Sequence, residues 1–141
     1  MSNKNKLQKF AEIDTFPNVF QHDKNLKGQW KSKVFKNDNP LVLELACGKG
    51  EYSVGQGRMF PDKNFLGLDI KGNRIWKGAR TALDEGLNNV AFLRCMIHNI
   101  EEYFDALGTK RKKFHYWDRD GKHYDVSDYE QIRKKGLELP L

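Results

Sequence analysis

Six residues after Pro40, Leu41-Val42-Leu43-Glu44-Leu45-Ala46, form a short apolar run broken by one acid, and they enter Cys47-Gly48-Lys49-Gly50 without a break. A run of this length suits a strand buried on both faces. The small residues behind it let the chain turn sharply, and Glu51 to Phe60 then reads as a short helix stopped by Pro61-Asp62. A strand that turns directly into a helix pairs next with a parallel strand, because the helix must pack back on the sheet. The rest of the centre obeys that demand. Phe65-Leu66-Gly67-Leu68-Asp69 reads as a second strand. Asn73 to Glu85 reads as a helix with Ile75, Trp76, Ala79, Ala82 and Leu83 on one face, stopped by Gly86. Val90-Ala91-Phe92-Leu93-Arg94 is a third strand, and Ile97 to Phe104 a short helix. The pattern predicts the doubly wound α/β class, with three recognisable parallel strands.

In that class ligands bind beyond the carboxyl ends of the strands. Two features stand there: the turn Glu44-x-x-x-Gly48-x-Gly50 and, about 20 residues on, Asp69 at the end of the second strand. Glycines allow close backbone approach and positive φ, and a helix N-terminus offers N–H groups. An acid in the position of Asp69 can accept hydrogen bonds from both hydroxyls of a ribose. Each feature alone is equally a tight turn or a solvated carboxylate; together, at this spacing, they favour a nucleoside. A dinucleotide fingerprint would need glycine where Ser53 stands, and a phosphate-binding loop would need Lys-Ser/Thr after its glycines. Glu44 would repel a pyrophosphate but suits a cationic ligand such as S-adenosylmethionine.

Charge is unevenly spread. The first 40 residues carry 8 lysines against 4 acids, residues 41–105 carry 8 basic and 9 acidic groups, and residues 106–141 carry 9 against 6. Two basic flanks are either solvated surface or contacts for a polyanion. With 141 residues the chain has the size of one domain. It has no apolar run of membrane-spanning length and no apolar stretch behind its basic start, so neither a membrane span nor a secretory signal is expected. Cys47 and Cys95 make no disulfide framework, and His22, His98, His115 and His123 show no ligand spacing, so the expectation is a cytoplasmic protein without a metal.

The segments Leu43-Glu44-Leu45-Ala46-Cys47-Gly48-Lys49-Gly50-Glu51-Tyr52 and Phe60-Pro61-Asp62-Lys63-Asn64-Phe65-Leu66-Gly67-Leu68-Asp69-Ile70-Lys71-Gly72 resemble the bacterial tRNA (guanine-N7-)-methyltransferase family. Arg74 to Ala79, Gly86 to Arg94, Asn5 to Ala11 and Phe35 to Pro40 extend the resemblance, which is to the version from Bacteroides-like bacteria and covers roughly residues 3–105. It implies a Rossmann-like, S-adenosylmethionine-dependent methyltransferase fold, shortened, that transfers a methyl group to N7 of a guanine in tRNA. By matching position, Glu44, Gly48 and Gly50 would line the methionine and ribose part of the cofactor. Asp69 would bind the ribose hydroxyls, Ile70 would pack on the adenine, and Lys71 would face the RNA. Met96 stands where many members carry an acid that binds the adenine amino group.

The charge distribution and the central strand–helix series together suggest a domain plan: a basic N-terminal arm over 1–40, a cofactor-binding α/β half-domain over 41–105, and a basic, aromatic tail over 106–141 packed on the same domain. The family continues into a fourth strand ending in a Phe-Pro-Asp-Pro-type motif whose aspartate is catalytic, and nothing from Asp105 to Leu141 matches it. No catalytic residue is therefore assigned. The tail instead runs through Lys110-Arg111-Lys112-Lys113, expected RNA contacts, into a hairpin turning at Asp120-Gly121 and a short helix capped by Ser127 and Glu130. Such a hairpin can fill a core or stack on bases, and it would cover the strand edge that a fourth strand otherwise pairs. The alternative function is a non-catalytic RNA-binding module that keeps the half-sheet as a scaffold.

Overall fold

The computed structural model describes residues 4–104 and two further strands, 114–117 and 123–126. Its centre is a parallel sheet of β1 (Val19–Gln21), β2 (Leu41–Leu45), β3 (Asn64–Asp69) and β4 (Val90–Arg94), in the order β1-β4-β3-β2. Helices α1 (Lys6–Ile13), α2 (Glu51–Met59) and α3 (Gly72–Asp84) complete the central elements. The three strands and the first two helices read from the central sequence are present, with ends shifted by at most a residue, and the short helix expected over Ile97 to Phe104 is a 3₁₀ segment over Ile97–Glu102.

Strand alternation sorts the side chains onto two faces. Val42, Phe65, Val90 and Phe92 pack with Ile75, Ala79 and Ala82 of α3, Val54 of α2 and Ile13 at the end of α1. Leu43, Leu45, Leu66, Leu68 and Leu93 face the other way, against Trp30, Phe35, Tyr103 and Phe104. Those four residues come from a π-helical turn over Trp30–Phe35 and from the two positions that follow the 3₁₀ segment over Ile97–Glu102. Trp30 anchors this layer. Its indole N–H donates to the Tyr103 carbonyl at 2.8 Å, its ring stacks on Phe104 and it meets Phe20 edge-on.

The N-terminal stretch corrects the expectation of an arm. Residues 6–35 are built into the domain: α1 packs against α3, and β1 adds a fourth parallel strand beside β4. Ile13, Phe16, Leu26, Trp30 and Phe35 are all buried. The lysines that make this stretch look like a basic arm lie between those apolar anchors. A three-residue strand is too short to show a period, so β1 leaves no mark in the sequence pattern.

β2 is one edge of the parallel sheet, opposite β1. A hairpin of β5 (Phe114–Trp117) and β6 (His123–Val126) forms, antiparallel as expected, with Tyr116 opposite Tyr124. β5 lies beside β2 without joining its hydrogen-bonded ladder. The turn at Asp120-Gly121, the helix at Ser127 and the basic run Lys110 to Lys113 lie outside the described residues.

Candidate cofactor-binding site

The carboxyl ends of β2, β3 and β4 come together at one end of the sheet, and the chain leaves each in a constrained way. Beyond β2 the backbone is left-handed at Ala46 (φ 57°), Gly48 (φ 57°) and Gly50 (φ 72°). Alanine in that region carries steric strain, which residues at functional turns commonly do. The turn is pinned by Cys47 N–H to the Leu68 carbonyl at 2.8 Å and by Gly50 N–H to the Cys47 carbonyl at 2.9 Å.

The two glycines do different things. A Cβ on Gly48 would meet nothing within 4 Å. Its α-carbon faces open space, as a backbone approached by a ligand must. A Cβ on Gly50 would lie 2.5 Å from the Phe92 ring and 3.4 Å from the Gly78 α-carbon. Gly50 therefore lets the turn sit down on α3 and β4. Gly78 mirrors it, with a Cβ there 2.6 Å from the Lys49 carbonyl oxygen.

Asp69, at the end of β3, is the junction of the site. Its Oδ2 accepts the Gly48 N–H and its Oδ1 the Lys71 N–H, both at 2.9 Å. One carboxylate thus ties the glycine turn to the loop that starts α3. Each oxygen keeps further acceptor capacity, since a carboxylate offers about four lone-pair sites. Asp69 and Ile70 are half-buried and Lys71 is exposed. Met96, just past β4, is exposed at the same end of the sheet.

Glu44, on β2 just before the turn, is buried beside α2. It is 3% exposed, and its Oε1 accepts the Ser53 hydroxyl at 2.8 Å. Burial pushes its pKa up to about 7, against the opposing hydrogen bonds from the Ser53 hydroxyl and backbone N–H. The acid therefore caps the first turn of α2 from inside, so part of the helix N-terminus offered to a ligand by the sequence is already taken. Burial pushes the Cys47 thiol up as well, with Glu44 and Asp69 adding to it. It is an inert, buried thiol.

Sequence reasoning misses two contributors. Ser53 stands out there only as a departure from a glycine pattern, although its place three residues into the α2 turn is a capping position. Arg94 reads as nothing more than the last residue of a strand. A charge closing an otherwise apolar strand is the available signal. The structure gathers Gly48, Asp69, Ile70 and Lys71 at one strand end, while Lys110, Arg111, Lys112 and Lys113 fall outside the described residues.

The profile of a family described as "Putative methyltransferase" matches residues 38–118. Among curated proteins, the tRNA (guanine-N(7)-)-methyltransferase of Christiangramia forsetii is 54% identical over 112 residues, covering 74% of this chain and 50% of that protein. The protein of the same name from Bacteroides fragilis is 53% identical over 109 residues, covering 72% of this chain and 43% of that protein. The chain thus spans half or less of the length of these relatives. A solved structure of a putative S-adenosyl-L-methionine-dependent methyltransferase from Methanococcus maripaludis is similar at a TM-score of 0.45 and 12% identity, covering 98% of this chain and 75% of that one.

Proposed function

The chain belongs to the methyltransferase family whose profile it matches over residues 38–118, and from that premise we propose that it is the cofactor-binding part of a tRNA (guanine-N7-)-methyltransferase that uses S-adenosylmethionine. The observation that carries the reading is the junction at Asp69: a carboxylate at the end of β3, held by amides of two loops, beside a left-handed glycine whose α-carbon faces open space. The 53–54% identical relatives supply the substrate, tRNA.

The residues fit the cofactor. Asp69 has acceptor capacity left for two ribose hydroxyls, Gly48 leaves room for the chain of atoms beyond them, and Ile70 with Met96 offers apolar surface for a base. Bound there, S-adenosylmethionine supplies an electrophilic methyl group on a sulfonium. Glu44 and Gly50, expected from the sequence to touch the cofactor, contribute by shaping the turn: Glu44 through Ser53, Gly50 through its fit against Phe92.

The N7 lone pair of guanine is already nucleophilic, so no proton need be removed before attack, and orientation and proximity supply most of the rate. What this chain does is hold the donor and steer the RNA. Lys71 is exposed beside Asp69, and Lys110, Arg111, Lys112 and Lys113 are the proposed phosphate contacts in the tail. Residues 105–141 contain no Phe-Pro-Asp-Pro-type motif, so no residue here is given the catalytic aspartate's role. We read residues 41–105 as the cofactor-binding half, framed by 4–40, and place the protein in the cytoplasm with its tRNA. Filter binding and tritium-methyl transfer on unmodified tRNA test this directly. Salt-dependent tRNA binding with poor transfer is expected; absence of tRNA binding at low salt refutes the substrate assignment.

A further inference from the structure

Arg94 ends β4, in register with Asp69 on β3. Its Nε–H donates to the Ile70 carbonyl at 2.9 Å. One terminal nitrogen lies 3.4 Å from Gln21 Oε1 and 3.4 Å from His22 Nε2, and the guanidinium sits 4.6 Å from the centre of the Phe10 ring. Gln21 in turn donates to Asp14. One side chain therefore touches α1, the end of β1 and the loop between Asp69 and Lys71. The frame closes from the other side at Gly72, where a Cβ would lie 2.7 Å from Ile13 and 3.2 Å from the Phe10 ring. The loop carrying Asp69 is held between the N-terminal segment and β4.

An apolar residue would suffice to end a buried strand. A half-buried guanidinium costs desolvation and is retained where its planar fork meets several acceptors at once. Here those partners are a backbone carbonyl, an amide oxygen, a histidine ring nitrogen and an aromatic ring, and the nearest bond ends on the residue after Asp69. We infer that Arg94 is a positioning residue: by clamping the Ile70 carbonyl between residues 10–22 and β4, it aims the Asp69 carboxylate at the cofactor ribose. The N-terminal segment then belongs to the frame of the cofactor site. This rests on the cofactor reading given above.

The test is Arg94→Met, which keeps the length of the side chain and removes the donors, together with Arg94→Lys. Lysine keeps the charge but cannot lie flat on Phe10 while donating to Ile70. Calorimetric titration with S-adenosylhomocysteine is expected to show both variants weakened about tenfold, as for one lost hydrogen bond between a charged donor and a carbonyl. In an Asp69→Asn background Arg94→Met is expected to change affinity by less than about twofold, since coupled residues fail to add. Hydrogen exchange at the Lys71 amide, which is bonded to Asp69, is expected to quicken in Arg94→Met while amides in β3 keep their protection. Wild-type affinity in both variants, an equal loss in the two backgrounds, or an unchanged Lys71 amide each overturns the proposal. If the wild type itself binds no S-adenosylhomocysteine, the cofactor reading fails and the Lys71 amide alone decides the role of Arg94. Should Arg94→Met not fold, Phe10→Leu removes the ring beneath the guanidinium and is read by the same two measurements.

Discussion

Glu44 gives the sharpest physical prediction, because a carboxyl only 3% exposed on a buried strand has to show in the pH dependence of stability. The unfolded chain releases this proton at its ordinary value of 4.5, and the folded chain holds it up to about 7. Between those values the folded state binds more protons than the unfolded one, so stability falls as pH rises, and the loss is complete above the folded value. Holding a proton across that span corresponds to about 3 kcal/mol. Glu44→Gln removes the titration while keeping an oxygen that can accept the Ser53 hydroxyl. Its offset from wild type in packing and hydrogen bonding is independent of pH, so the information lies in the slope. Urea unfolding of both proteins from about pH 4 to about pH 8 is expected to show the variant gaining about 3 kcal/mol on wild type across that range. A difference that stays flat would refute the burial argument and mean that water reaches the carboxylate.

The remaining predictions concern the turn, the core and the RNA. Gly50→Ala, which drives a Cβ into Phe92 from a left-handed backbone, is expected to destabilise the fold by about 2–4 kcal/mol in urea unfolding. Gly48→Ala meets no atom within 4 Å and is expected to cost stability only about 1 kcal/mol while weakening S-adenosylhomocysteine in a titration. Trp30→Ala loses a 3% exposed indole and its bond to Tyr103, and thermal or urea unfolding is expected to show a loss of about 3–5 kcal/mol. Replacing Lys110, Arg111, Lys112 and Lys113 together by glutamine is expected to flatten the log–log salt dependence of tRNA binding by about 0.7–0.9 for each phosphate no longer neutralised, with cofactor affinity unchanged.

The parallel sheet is legible in the sequence because its three long strands announce themselves. Leu41 to Leu45 is apolar but for Glu44, Phe65 to Leu68 is a continuous apolar run, and α3 buries Ile75, Ala79 and Ala82 at helical spacing. Asp69 is legible as well, as an acid at a strand end a fixed distance from a glycine turn. The N-terminal third is not. Its anchors Ile13, Phe16, Leu26, Trp30 and Phe35 are spaced by lysines and by turns of three kinds, so no single period gathers them into a face. Their burial comes from long-range packing, as in the bond from Trp30 to a carbonyl 73 residues away. The role of Glu44 is hidden for a related reason. An acid before a glycine turn reads the same whether it points at a ligand or at Ser53, and only the three-dimensional path of α2 decides between them. Arg94 gives the faintest signal, since its partners Phe10, Gln21 and Ile70 lie on three separate segments.

The most direct test of the account is calorimetric titration of the full chain and of Asp69→Ala with S-adenosylhomocysteine. If the junction of Gly48 and Asp69 holds the ribose, the wild type binds and the variant loses roughly 1.5–3 kcal/mol, the cost of removing hydrogen bonds to a charged acceptor, which is about tenfold to a hundredfold in affinity. Equal binding by the two proteins, or no binding by the wild type, would contradict it.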